Sequence, residues 1–178
     1  DESGMMVSFI QSNYMGFGSG CVEPGFGISL QNRGHGFSLD ADSPNVVAPG
    51  KRPFHTIIPA FLTKDGQPVM SFGVMGGNMQ PQGHMQTLVR MLDHGQNPQA
   101  ACDAPRWRFN KGLEINAEGS MDPETVQGLM DLGHQVDVID DSYQDFGAGQ
   151  FIWRAGDPSV EGYIAASDPR RDGLAAGY

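Results

Sequence analysis

Basic residues are scarce in this chain: 11 Lys and Arg stand against 21 Asp and Glu in 178 residues, a formal net charge of -10. Nucleic-acid binding is driven by cations that neutralise phosphates, so no nucleic-acid partner is expected. Long apolar runs are missing as well. No stretch approaches the roughly 18–20 residues needed to span a bilayer, and the first residues do not read as a secretory leader, so no membrane partner is expected. The two cysteines, Cys21 and Cys102, lack metal-ligand spacing and assign no redox compartment; they read as two small buried apolar side chains. Also absent are GxSxG, a Walker loop, a dinucleotide fingerprint and HExxH. The histidines, His35, His55, His84, His94 and His134, are scattered, and no metal or cofactor is implied.

Abundant instead are glycine and proline, 25 and 12 residues, which point to many turns and close backbone approaches rather than long surface helices. "MMVSFIQS" (5–12) alternates like a strand whose partner has been cut away, with Val7 and Phe9 on one face. "FGISLQN" is a second strand candidate, and residues 39–53 form a long polar loop. "HTIIPAFL" and "VMSFGVM" flank Asp65-Gly66 and read as a β-hairpin. Met85, Leu88, Val89 and Leu92 recur at helical spacing over 81–94 with Gly95 as the stop, and a short helix follows over 98–104. Asp122 as N-cap and Pro123 at the first helical position predict a helix over 122–132, then the strand "QVDVID". "GQFIWRAG" and "GYIAASD" read as a last hairpin joined by "DPSVE". Strands interrupted by helices in this order give a mixed α/β (α+β) layered fold in a single domain, 1–178.

For chemistry, the feature of note is "SFGVMGGN". A strand that stops at Gly76-Gly77 frees two backbone N–H groups from side-chain cover, as an oxyanion hole requires; the same dipeptide also suits a tight turn with positive φ. The predicted helix begins just after it, bringing an anion-favouring N-terminus nearby. Asp103 and the arginines of "DAPRWRF" read as a structural ion-pair knot. Spacing alone yields oxyanion donors and no nucleophile.

Taken together, "GFGSG", "GISLQNRGHGFS", "PNVVAPGKRPFHTIIPAFLTKDG", "SFGVMGGNMQPQGHMQ", "LDHGQNPQAACDAPRWRF" and "AASDPRRDGLAAGY" resemble the small subunit of the γ-glutamyltransferase (γ-glutamyltranspeptidase) family, in the family's order across nearly the whole chain. The resemblance implies part of a four-layer αββα N-terminal-nucleophile hydrolase sandwich, made as a self-cleaving precursor with a large subunit as partner. The substrate it implies is a small-molecule γ-glutamyl amide such as glutathione. The family nucleophile is a threonine activated by its own α-amine. By position it falls about seven residues before Asp1, so the chain as given is expected to lack its nucleophile strand and to be inactive alone.

Carried over by position, Gly76 and Gly77 match the oxyanion glycines, and Ser12 matches a threonine whose hydroxyl bonds to the nucleophile. His55 and Thr56 match a serine pair that holds the substrate carboxylate. Tyr14, Arg33 and Gly36 depart from the asparagine, glutamine and ammonium-binding aspartate of transpeptidases. Loss of that acid removes a charge-assisted bond of about 1.5–3 kcal/mol, and Arg33 would favour an anionic or dicarboxylate-like acyl group. The loop over 39–50 is shorter than the family's lid. These departures resemble the divergent branch that includes cephalosporin-acylase-like enzymes, which makes a cephalosporin or glutaryl acylase the alternative to a γ-glutamyl enzyme. A non-catalytic interaction module is the alternative from another class.

Overall fold

A computed structural model describes residues 3–141, 146–157 and 159–177. The chain divides into two compact units, one of residues 10–57 and one of residues 3–9 with 58–177.

The smaller unit is loop-rich. Its regular pairing is a two-residue ladder between β1 (Val22–Glu23) and β2 (Ile28–Ser29), far shorter than the strand expected over 26–32. Glycines in left-handed conformations at Gly16, Gly18, Gly20 and Gly27 turn the chain too often for longer strands. Its fold is held by side chains that bond to backbone. Asn32 accepts from Met15 N at 3.0 Å, Ser19 donates to Leu30 O at 2.8 Å, and Asn45 joins Gly36 O to Phe54 N.

In the larger unit, β3 (Ala60–Lys64) and β4 (Gln67–Met75) form the expected hairpin. Asp65 and Gly66 turn it with φ of 53° and 76°, the double left-handed conformation that matches strand twist. Helices α1 (Gln80–Leu92) and α2 (Pro98–Asp103) follow. After them come β5 (Trp107–Lys111), β6 (Glu114–Glu118), α3 (Pro123–Asp131) and β7 (Gln135–Ile139), and finally β8 (Ala148–Arg154) and β9 (Tyr163–Ser167). The strands make a four-stranded antiparallel sheet, β3-β4-β8-β9, and a three-stranded sheet, β5-β6-β7, whose β6-β7 pair is parallel across the α3 crossover. The α+β class is as the sequence implies.

One face of the larger sheet carries Met70, Phe72, Val74, Phe151 and Ala166, packed with Met91, Ala101 and Cys102 of α1 and α2 as the core. Phe72 stacks on Phe151 at 5.7 Å between ring centroids. Helix α1 lies this close to the sheet because a side chain at Gly83 would stand 2.6 Å from Val74 Cγ1. Its buried face is mostly polar, with Gln80, His84, Gln86 and Thr87, whereas Met85, Val89 and Leu92 of the apolar repeat are exposed. The polar face is satisfied because it serves strand edges. Gln82 and Gln86 each accept from and donate to the backbone of β5, at Phe109 and Trp107, so two amides one helical turn apart stand in for a missing strand.

Other expectations are corrected. Residues 5–12 join no ladder among the described residues; Ser8 instead pins the segment, donating to Phe72 O at 2.8 Å and accepting from Ala60 N at 3.1 Å. Residues 55–59 lie outside the hairpin ladder. The β5-β6 hairpin was not foreseen. Cys102 is buried, and burial pushes its thiol up to about 12, but Cys21 is exposed. The α3 cap is as expected, with Asp122 accepting from Thr125 N at 3.1 Å. The last hairpin pairs Gln150 with Ser167 through Arg154 with Tyr163, and Pro158 of its loop lies outside the described residues. No helix among the described residues is long and apolar enough to cross a membrane.

Candidate active site

Each unit holds a cluster of its own. In the larger unit, β4 runs into Gly76 at φ 128° and Gly77 at φ 58°, followed by a short 3-10 turn that leads into α1. Among the described residues neither the Gly76 nor the Gly77 amide donates a hydrogen bond, so both donors are available to an acceptor. A side chain at Gly76 would meet Gly147 Cα at 2.8 Å, whereas one at Gly77 would meet nothing within 4 Å. Gly76 is therefore required by close packing, and Gly77 is open. Gly147, at φ 69°, is itself confined, since a Cβ there would stand 2.0 Å from Met75 O.

Beneath this turn lies a buried charge network. Arg106 donates to Asp168 at 2.6 Å and to the carbonyls of Phe146 and Gly147 at 3.0 and 3.3 Å. Asp168 also accepts from Gly149 N at 2.8 Å and from Arg170 at 3.1 Å. Arg170 in turn pairs with Glu118 at 2.5 Å and donates to Cys102 O and Ala104 O. Burial alone would raise the Asp168 carboxyl, but Arg106, the Gly149 amide and Arg170 together hold it below the usual carboxylate range. The expected knot is therefore real with a different acid: Arg106 pairs with Asp168, while Asp103 accepts from Gln99. Asp168 lies too far along the chain for spacing to reveal the pair.

His84 is a structural histidine. Its Nδ1 donates to Gln80 O at 2.5 Å, and its Nε2 accepts from Val74 N at 3.3 Å, beyond the end of the β3-β4 ladder. The bond that Nε2 accepts from Val74 N requires the neutral ring. Burial pushes its pKa below 6.5, and the charge of Arg106 adds to this against the hydrogen bond donated to the Gln80 carbonyl. On acidification below about 6.5 the unfolded chain binds this proton first, so stability falls as pH drops. Urea unfolding midpoints are expected to decline from pH 7 to 5, and His84→Gln is expected to flatten that slope; an unchanged slope would assign the acid sensitivity elsewhere.

In the smaller unit, the Arg33–Gly36 3-10 turn carries Arg33, His35 and Gly36. Asn45 binds both Gly36 O (2.6 Å) and Phe54 N (2.9 Å), which sets this turn against the segment holding His55 and Thr56. Arg33 stacks over the Tyr14 ring at 5.2 Å, and Tyr14 has the left-handed φ of 78°. Ser12 Oγ accepts from Tyr14 N at 2.9 Å, leaving its own proton to donate elsewhere. His55 is exposed, and its Nδ1 accepts from Ile57 N at 3.2 Å. Tyr14, Arg33 and Gly36 are thus joined through Asn45 to Phe54, the residue before His55 and Thr56, while Gly76 and Gly77 belong to the other unit. The ring stacking and the Asn45 bridge carry no local sequence signal. Among the described residues no cluster of His, Cys, Asp and Glu could hold a metal ion.

The profile of the γ-glutamyltranspeptidase family matches residues 1–178. The glutathione hydrolase-like YwrD proenzyme of Bacillus subtilis is 42% identical over 99% of this chain and 34% of its own length. The oxamate amidohydrolase proenzyme of Klebsiella pneumoniae is 41% identical over 100% of this chain and 34% of its own. Among solved structures, cephalosporin acylase from Bacillus halodurans superposes with a TM-score of 0.88 at 53% identity, over 95% of this chain and 31% of that one. A γ-glutamyltranspeptidase chain from Pseudomonas nitroreducens shares the fold at 23% identity, with a TM-score of 0.86 over 100% of this chain and 96% of that one. The chain spans about a third of the length of the curated relatives it matches.

Proposed function

The chain belongs to the γ-glutamyltranspeptidase family, and we propose that it is the small-subunit part of an enzyme cleaving γ-glutamyl or related acyl amides. The observation that carries this reading is the pair of undonated amides at Gly76 and Gly77. In the proposed reaction a threonine ahead of Asp1 attacks the amide carbon, and the carbonyl oxygen becomes an oxyanion that accepts from these two N–H groups. The C–N bond breaks, the amine leaves with a proton, and water or an amino acid takes the acyl group from the threonine ester. The Ser12 hydroxyl donates toward the nucleophile, and Thr56 with His55 binds the far end of the acyl group.

A large subunit of the same precursor is the proposed partner. Opposite the helices, the larger sheet exposes Phe61, Met75, Ile152 and Tyr163, an apolar face that a second sheet of an αββα sandwich would cover. A groove of about 540 Å³ opens on this face, lined by Met6, Ser71, Ile152, Tyr163 and Ala165 among others. The acylase and amidohydrolase relatives support a second reading, amide hydrolysis without γ-glutamyl preference. The test is expression of the whole precursor. Self-cleavage into two polypeptides and release of aniline from γ-glutamyl or glutaryl anilides are expected. A precursor that neither cleaves itself nor turns over either anilide would overturn the assignment.

A further inference from the structure

The turn that presents Gly76 and Gly77 is made of residues with great conformational freedom. Both lack a side chain and sit at positive φ, 128° and 58°. The turn's backbone bonds, Met79 N to Gly76 O at 3.0 Å and Gln80 N to Gly77 O, engage the carbonyls of the two glycines and not their amides. For two amides to meet one acceptor, the entry and the exit of the turn must be fixed as well.

His84 ties both. Its Nε2 accepts from Val74 N at 3.3 Å, two residues before Gly76, and its Nδ1 donates to Gln80 O at 2.5 Å, three residues after Gly77. Val74 lies at the end of β4 and Gln80 is the first residue of α1, so one rigid imidazole bridges the two elements that the glycine pair joins. The ring itself is confined. His84 is 8% exposed and packs on Phe72 with ring centroids 5.4 Å apart. Gly83 beside it lets α1 approach, since a Cβ there would stand 2.6 Å from Val74 Cγ1. The Gln80 side chain accepts from Ile58 N at 3.0 Å and anchors the same first turn of α1 from another side. Burial, with the charge of Arg106, outweighs the carbonyls of Gln80 and Ile58 and keeps the ring neutral at pH 7, so Nε2 stays an acceptor.

We propose that His84 is a positioning residue of the glycine turn: its ring holds the end of β4 and the start of α1 at the separation that aims the Gly76 and Gly77 amides at one acceptor. It acts through the backbone of Val74 and Gln80. The proposal rests on the reading of these amides as oxyanion donors, and it adds a side chain on which their aim depends.

The test uses the processed two-subunit enzyme and whichever of the γ-glutamyl and glutaryl anilides it cleaves faster. His84→Phe keeps a ring and removes both bonds, whereas His84→Gln keeps an acceptor and a donor. Met91→Ala, in the core two turns further along α1, serves as the control for lost stability alone. His84→Phe is expected to lower kcat about 10- to 100-fold with KM little changed, the scale of a small misplacement of catalytic groups. His84→Gln is expected to recover part of that loss, and Met91→Ala to lower the unfolding midpoint while leaving kcat near the wild-type value. A wild-type kcat in His84→Phe, no recovery in His84→Gln, or an equal loss in Met91→Ala would overturn the proposal and leave the amidase reading intact. Should His84→Phe not fold, His84→Gln against Met91→Ala carries the same comparison, with a several-fold lower kcat expected and equal values overturning the proposal. Amide hydrogen exchange over residues 74–80 reads the turn without turnover. Faster exchange in the His84 variants than in Met91→Ala is expected even if no anilide is cleaved, and equal rates would overturn the positioning role.

Discussion

Asp168→Ala is expected to destabilise the protein by about 3–5 kcal/mol, the cost of removing one partner from a buried ion pair. Its carboxylate accepts from Arg106, Arg170 and the Gly149 amide, and the side chains of Asp168 and Arg106 are 0% and 1% exposed. Without it, Arg106 is stranded as a buried charge and Gly149 loses its acceptor. Domains are typically stable by only about 5–15 kcal/mol, so much of the folded margin disappears. Denaturant unfolding of the purified variant measures this, and a loss below about 1 kcal/mol would refute it. Arg106→Met added to Asp168→Ala is expected to restore part of the loss, because an apolar side chain tolerates the site better than a lone cation does. Because Asp168 is held below its unfolded value of 3.8, its contribution is present above that pH and is lost as pH falls through the folded value.

Gly76→Ala is expected to lower kcat of the processed enzyme about 100-fold or more, with KM little changed, on the scale of losing one oxyanion donor. The amide hydrogen survives the substitution; its aim does not. The new Cβ would stand 2.8 Å from Gly147 Cα at a φ of 128°. Gly147 cannot retreat easily, since it is packed against Met75 O and its carbonyl is bound by Arg106. Gly77→Ala is the matched control. It meets nothing within 4 Å at φ 58°, a left-handed region costing a non-glycine residue about 1–2 kcal/mol, so a smaller kinetic effect is expected. Equal losses in the two variants would mean that packing against Gly147 does not set the donor geometry.

Where local chemistry decides local structure, the sequence was readable. Asp65-Gly66 named its turn, and Asp122-Pro123 named the start of α3. Gly95, at φ 66°, ended α1 as expected. Reading failed where distant partners decide. Alternation over 5–12 resembles a strand, but a strand exists only with a ladder beside it, and Ser8 supplies two isolated bonds instead. The apolar repeat of α1 suggested a buried stripe, yet Gln80, His84 and Gln86 took the interior, where they accept from the backbone amides of Ile58, Val74 and Trp107. In the candidate site, Gly76 and Gly77 stood out because two amides left without acceptors are a backbone property written in one dipeptide. The Arg33–Tyr14 stack joins residues far apart in sequence, and the acid of the arginine knot proved to be Asp168 rather than neighbouring Asp103.

The pairing of β4 with β8 has a kinetic meaning. The β3-β4 hairpin closes through two residues and can form on its own, but its central strand waits for Met70 to meet Trp153 and Val74 to meet Gly149. During synthesis the core face of the hairpin, with Met70, Phe72 and Val74, is therefore made long before the strand that completes the sheet. Closing so large a loop is slow, and the waiting edge invites pairing with other chains. The order of strands in the sheet thus makes the last third of the chain the segment that commits the rest to its fold.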